Sequence, residues 1–526
     1  MQAETRRHAP MLPASRLPGF LSYLDAALES RWLRVALIAV AVVFLIIRFV
    51  HLSDDFPYFS PWVQDQAKFT DEGWWAAASV RHVLTGHWSV AGDYNPAAAL
   101  PVWPFLLAGV FHFTGVSLVG ARALNVVISS ATLPLAYVLV RRYSSSTSHF
   151  PATLGALMLA TSPFAFFFSR LAILETLVVF EFCALLLVAS FVAHRRIWPW
   201  IALAALTTAM LLTKTTAALL LPAVLWLAWC ATERKLSGLI RAVLAVALLP
   251  AVLVKSYAGL VSRMGYGEDY RYFFDVNSMP DFDWHVLLAG AHELLLSGFW
   301  VDRVLYPLSF AILVAALIWK RSLWCNPLFA ASWLAIGVQG MFIVRRVDDY
   351  APRYYLVMVL PIIWIVVMTF GELKSNARKV ALALLVVIAA TITTDGILIR
   401  HFMTHRDYDF RDAAVAIAEI IRSRPEQSQL MLGVSAPQIS LMTGIPAIND
   451  FYGTQDGAEK LARYRPGWYL AWNRIDPDNE AMLTGYELEK VGSYDAFDDD
   501  ERTTLILYKM VRRAGVSAAG AQASRP

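Results

Sequence analysis

The run Leu100-Pro101-Val102-Trp103-Pro104-Phe105-Leu106-Leu107-Ala108-Gly109-Val110-Phe111-His112-Phe113 decides how this chain is threaded. It is apolar, yet shorter than the roughly 20 residues an ordinary membrane crossing needs. It carries Pro101 and Pro104, and it ends in His112 before Thr114-Gly115. If it crosses a bilayer, every later segment exchanges sides. If it lies on the surface, the topology that follows is the opposite one.

The surroundings leave no doubt that a bilayer is involved. Of 526 residues, 57% are hydrophobic and 16% charged, with a mean hydropathy of +0.50. Soluble domains carry about a quarter charged residues. Apolar runs of roughly twenty residues recur from Leu33 to Ile399, each long enough to span. They begin near Leu33, Ala121, Pro151, Ile173, Ile197, Thr215, Leu239, Val304, Pro327, Tyr354 and Val380. Cys183, Cys230 and Cys325 fall in or beside these runs and form no disulfide or metal-type spacing.

Positive charge resolves the ambiguous run. The leader 1–30 holds Arg6, Arg7 and Arg16, and Arg31 and Arg34 open the first span. This places the N-terminus in the cytoplasm, and with no A-x-A cleavage site the first span reads as an uncleaved anchor. If Leu100–Phe113 stays on the surface, the cytoplasmic loops receive Arg141-Arg142, His194-Arg195-Arg196, Glu233-Arg234-Lys235, Lys320-Arg321, and Lys374 with Arg378-Lys379. If it crosses, nearly all of them move outside. The reading is therefore a polytopic α-helical membrane protein with about eleven transmembrane helices and juxtamembrane helices on the outer face. Residues 31–400 form the membrane domain, with outer loops at 51–118 and 258–300.

From His401 the composition changes. Asp409 reads as the N-cap of an amphipathic helix over Arg411–Arg422. Strand-like runs follow at Leu430–Val434, Trp468–Trp472 and Thr503–Met510. This predicts a small C-terminal α/β extracytoplasmic domain over 401–513 and a frayed tail over 514–526.

The topology gathers the chemistry-bearing residues on the outer face. Asp71 and Glu72 follow Thr70, a good N-cap, and two acids in a first helical turn suit the helix dipole. They read equally as a helix start or as a site. Arg170 ends a span, where an arginine snorkels readily. Glu175 lies within apolar flow, where a mid-bilayer acid costs about 3 kcal/mol. Lys214 breaks two spans, as an interfacial anchor or as a point charge for a phosphate. Arg345, Arg346 and Arg353 stand on the side that positive charge usually avoids. They imply an anionic partner, or a loop neutralised by Asp348 and Asp349. Gly265–Phe274 reads as a lid or a plain surface loop. His292-Glu293 lacks the second histidine of a zinc helix.

In this order the motifs resemble the type C glycosyltransferase superfamily, in the branch of protein O-mannosyltransferases and lipid A aminoarabinose transferases. Asp71-Glu72 stands where that family has an Asp-Glu pair in its first outer loop. Tyr94-Asn95-Pro96, with Leu100 and Trp103, resembles a motif usually written with His or Lys before two prolines; here Asn95 replaces the basic residue. Gly115-Val116-Ser117 and Arg122-Ala123-Leu124-Asn125 resemble the next stretch. Arg170 to Glu175 resembles an Arg-x-x-x-Leu-Asp motif, with Glu for Asp. Leu212-Thr213-Lys214, and Arg353-Tyr354 with Pro361, resemble the remaining two.

The resemblance implies transfer of a sugar from a polyprenyl-phosphate donor to a hydroxyl acceptor (lipid, glycan or protein), with inversion. Asp71 would be the general base. Glu72 and Glu175 would orient acceptor or sugar, Lys214 and Arg353 would bind the donor phosphate, and Arg170, Arg346 and Tyr354 would complete the substrate site. No metal, no cofactor and no nucleic-acid partner are expected; the lipid bilayer of the cytoplasmic membrane is. Two other classes fit the composition: a lipid or solute transporter, and a non-catalytic subunit of cell-envelope polysaccharide assembly. Transporters usually show internal repeats and helices broken at mid-membrane, and neither is evident here.

Overall fold

The computed structural model describes residues 27–144, 148–192, 196–278, 283–345, 351–498 and 502–513. The apolar runs form helices: Arg31–Ile47, Leu118–Tyr143, Phe150–Thr161, Leu174–Ser190, Trp198–Thr213, Leu221–Ala231, Leu236–Val243 continuing into Leu249–Val261, Leu305–Ile318, Pro327–Val344, Leu356–Asn376 and Arg378–Thr404. Their starts follow local chemistry. Pro151, Pro199, Pro222 and Pro327 sit in first turns, where the missing N–H is no loss. Asn326 caps Pro327–Val344, accepting from the backbone N–H of Leu328 at 3.0 Å and of Phe329 at 3.3 Å.

Among the described residues, five helical stretches are long and apolar enough to cross a bilayer: Leu118–Tyr143, Leu236–Val276, Pro327–Val344, Pro352–Lys374 and Arg378–Arg422, the last led by Arg378–Thr404. Other runs form shorter apolar helices, of 11 residues at Leu221–Ala231 and 16 at Trp198–Thr213. Pro352–Lys374 is the axis of the bundle. Its residues from Tyr355 to Phe370 are almost all buried, so Arg353 at its head is buried as well. The outer helices instead expose Val35, Val43, Ile46, Leu248, Val252, Val386 and Ile397, the surface a lipid-facing helix presents.

The bundle has two chemically different ends. At one, Asn326 donates to the Tyr143 carbonyl at 2.7 Å, Arg142 to the Ser190 carbonyl, and Lys374 pairs with Glu29 at 2.5 Å. Arg142 and Lys374, from two of the basic stretches named above, stand here. The other end, about 39 Å away along Leu118–Tyr143 by helical rise, carries the first loop and the C-terminal unit.

Leu100–Phe113 forms the helix Val102–Thr114. Trp103, Leu107 and Phe111 bury one side of it against the helix Asp71–Thr85, and the Ser79 hydroxyl donates to the Pro104 carbonyl at 2.7 Å. Gly265–Phe274, expected as a loop, is helical from Gly267 to Val276. Gly265, at φ 92°, turns the chain there.

The C-terminal unit has a five-stranded sheet, ordered β2-β1-β3-β5-β4: β1 (Met431–Leu432), β2 (Ala447–Ile448), β3 (Trp468–Trp472), β4 (Tyr486–Asp495) and β5 (Thr504–Arg512). β1 runs parallel to β2 and β3; β5 is antiparallel to β3 and β4. Helices Asp409–Arg422 and Ala436–Thr443 cover the sheet through Phe410, Ile417, Ile421 and Ile439. Asp409 is the first helical residue; Tyr408, not Asp409, holds the cap position. The preceding helix runs to Thr404, so this unit begins a few residues beyond His401.

Candidate active site

The helix Asp71–Thr85 begins with two acids and stops at Gly86, which takes a left-handed φ of 78°. Thr70 sits at the cap position but does not cap. Its hydroxyl is 2.9 Å from the Gln66 carbonyl and 3.1 Å from Asp71 Oδ1. The Gly73 N–H, which such a cap would have taken, donates to Gln438 Oε1 at 2.6 Å, from the C-terminal unit.

Asp71 and Glu72 are successive helical residues, about 100° apart around the axis. They face different partners. Asp71 Oδ2 lies 2.6 Å from Arg353 Nη2. Arg353 Nη1 binds Asp65 Oδ1, and its backbone N–H donates to Asp65 Oδ2 at 2.9 Å. Arg353 Nε is 3.7 Å from Glu175 Oε1, which also takes the Lys214 ammonium. The Tyr354 ring lies 4.8 Å from Lys214 Nζ and 5.2 Å from the Arg353 guanidinium carbon. Asp65, Asp71, Glu175, Arg353 and Lys214 thus make one cluster from four separate parts of the chain. Three carboxylates in it face two cations.

Burial pushes the Asp71 carboxyl above the ordinary aspartate range; Asp65 and Glu175 add to this, while Arg353 and Lys214 oppose it. Glu175 Oε2 is buried with no hydrogen-bond partner among the described residues. Glu175 and Lys214 line a narrow cleft whose wall includes Thr216, Gln339, Tyr354 and Val357. Asp71 lies behind it, one ion pair away through Arg353. A larger cavity of about 150 Å³, between Asp71–Thr85 and the C-terminal unit, has an almost wholly apolar wall without a carboxylate.

Glu72 has a different environment. Its Oε1 accepts from Arg122 Nε and from the Ala172 N–H, both at 2.8 Å; its Oε2 accepts from Arg122 Nη2 at 2.7 Å and Gln438 Nε2 at 3.2 Å. Arg122 also donates to the Leu52 and Asp54 carbonyls at 2.9 and 2.6 Å. Both residues are buried and their polar atoms engaged. Arg170 likewise forks onto Asp54 at 2.7 and 3.0 Å and reaches the His51 carbonyl at 2.8 Å. Asn95 donates to Asp269 Oδ2 at 2.9 Å, tying the first loop to the helix Gly267–Val276.

The structure therefore brings together Asp71, Glu175, Lys214, Arg353 and Tyr354, with Glu72 beside them on a separate network and Arg170 on another. Arg346, Asp348 and Asp349 lie outside the described residues; Arg353 is neutralised by Asp65 and Asp71. Sequence reasoning missed Asp65, which reads as part of a polar turn, and Gln438, which lies 365 residues from its partner Gly73. Only the fold brings either into view.

Residues 96–257 match the family of dolichyl-phosphate-mannose-protein mannosyltransferases. No curated protein matches the chain by sequence. Among solved structures, ArnT from Cupriavidus metallidurans bound to undecaprenyl phosphate superposes with a TM-score of 0.61 at 13% identity, over 90% of this chain and 98% of that one. The same protein in its apo state gives 0.56 at 15% identity, over 90% and 97%. At these identities the likeness is one of fold, and that fold joins the membrane helices, the first-loop helices and the C-terminal unit in a single alignment. The chain has the fold of the type C glycosyltransferases.

Proposed function

We propose that this protein is an integral-membrane glycosyltransferase. It moves a sugar from a polyprenyl-phosphate donor to a hydroxyl acceptor at the outer face of the cytoplasmic membrane. The observation that carries this is the buried cluster of Asp71, Arg353, Glu175 and Lys214 at one end of an apolar bundle, beside a cleft. The match of 96–257 to a mannosyltransferase family supports it. So does the shared fold with ArnT, whose structure holds undecaprenyl phosphate. The N-terminus and basic loops then face the cytoplasm, the chain crosses about eleven times, and the unit after Thr404 stands outside.

In the reaction, the Asp71 carboxylate accepts the proton of the acceptor hydroxyl. That oxygen forms a bond to the anomeric carbon from the face opposite the phosphate. The bond between the anomeric carbon and the phosphate oxygen breaks, and its electron pair leaves on the polyprenyl phosphate. Lys214 and Arg353 meet the charge that grows on the departing oxygen, where oriented cations in a water-poor site count most. The donor phosphate competes for Arg353 and Lys214 and so loosens their hold on Asp71 and Glu175. Glu175 Oε2, which has no partner among the described residues, accepts from a sugar hydroxyl. Glu72 and Arg170 act by holding the first loop in place. The acceptor is a lipid, a surface polysaccharide or a protein.

The test is mass spectrometry of envelope lipids, surface polysaccharide and secreted proteins from cells with and without this protein. One sugar mass missing from one class of molecule is expected. An unchanged sugar inventory in every fraction contradicts the proposal.

A further inference from the structure

One side chain of the C-terminal unit reaches Glu72 and Gly73 together. Gln438, wholly buried, stands in the helix Ala436–Thr443 and presents its amide to the first turn of Asp71–Thr85. Its Oε1 accepts the Gly73 N–H at 2.6 Å, and its Nε2 donates to Glu72 Oε2 at 3.2 Å. Only this orientation works: turned over, the amide would set donor against donor and carbonyl against carboxylate. The two helices touch at backbone distance. A Cβ on Gly73 would run into the backbone of Pro437 and Gln438.

We infer that Gln438 is a positioning residue for transfer: it caps, from outside, the helix that begins with Asp71, and it fixes Glu72. This rests on the transferase reading. A helix's first N–H groups have no partner within the helix, and Thr70 supplies none. Glu72 in turn holds Arg122 and the Ala172 N–H, three residues before Glu175. One amide thus couples the C-terminal unit to both Asp71 and the approach to Glu175. The unit is a working part of the site.

The test uses full-length protein in membrane vesicles from cells lacking it, mixed with the surface polysaccharide and secreted proteins of the same cells, which together supply donor and each class of acceptor. The sugar-bearing product is followed by mass spectrometry per folded molecule across pH. Gln438→Ala is expected to lower the rate about ten- to hundredfold, the scale of a small misplacement, with the half-saturating lipid amount within about twofold. Hydrogen exchange over residues 71–75 should quicken.

Gln438→Glu keeps the capping oxygen, so it carries the test if the alanine variant does not fold. Protonated, the new carboxyl donates to Glu72 as the amide does; ionised, it repels Glu72. Its rate should therefore fall as pH rises, on a descending limb that wild type lacks and that a merely structural contact would not produce. If both variants keep the wild-type rate at every pH, the inference is overturned, whatever the exchange shows. If wild type itself makes no product, the transferase reading fails first, and that result is distinct.

Discussion

Asp71 and Glu72 are neighbours with the same chemistry and different work. The helical turn between them sends Asp71 to Arg353 and Glu72 to Arg122. For Asp71, burial raises the carboxyl above the ordinary range, which for aspartate centres near 4. A general base works only when deprotonated. Transfer should therefore rise with pH through an apparent pKa above that range, and a pH–rate profile checks it; an acid limb at about pH 4 or lower contradicts the assignment. For Glu72, the expectation concerns folding. Glu72→Ala leaves the buried Arg122 guanidinium without its carboxylate, a loss of about 3–5 kcal/mol, to be read as a lower thermal midpoint. At this scale the sequence showed which residue types mattered, because acids and bases beside a bilayer are rare. It did not show how they pair. Asp65 looks like any turn aspartate until the fold sets it against Arg353.

The pivotal element is the helix Asp71–Thr85, held between the helices Val102–Thr114 and Ala436–Thr443. Gly73 permits the second contact through its missing side chain; its backbone is ordinary helix. Gly73→Ala forces the two backbones apart, with an overpacking cost of about 1–3 kcal/mol. Limited proteolysis should then cut the segment 405–408, between the last membrane helix and the C-terminal unit, faster than in wild type; equal cutting argues against close docking. A helix at Val102–Thr114 was legible from the apolar run itself. The sheet was half legible. β3 and β5 have the composition of buried strands. β1 lies inside the strand-like run Leu430–Val434, whereas β2 has two residues, too few for any period to show. β4 reads Tyr-Glu-Leu-Glu-Lys-Val-Gly-Ser-Tyr-Asp, a largely solvated edge with little apolar signal.

Across the whole molecule, the bundle separates a basic end from a site end. The proposal puts the first in the cytoplasm and the second outside. Cys325 is exposed at the basic end, whereas Ser423 is exposed on the C-terminal unit. A membrane-impermeant maleimide applied to intact cells should therefore miss Cys325 and label a Ser423→Cys variant; the reverse pattern inverts the topology. The helical positions and the gathering of Asp71, Glu175, Lys214 and Arg353 followed from hydropathy and charge, because both obey the bilayer. The docking of the C-terminal unit did not. It depends on hydrogen bonds between residues hundreds of positions apart, such as Lys460 Nζ to Asp93 at 3.0 Å and Trp74 Nε1 to the Val434 carbonyl at 3.0 Å.

The central claim is that the Asp71 carboxylate takes the acceptor's proton. Cells lacking the protein, supplied with either wild type or Asp71→Asn at matched levels, test it most directly through the sugar mass on the envelope or secreted product. The wild type should restore that mass, and the variant, folded and inserted, should leave it reduced by about a hundredfold or more. Full restoration by Asp71→Asn would contradict the account.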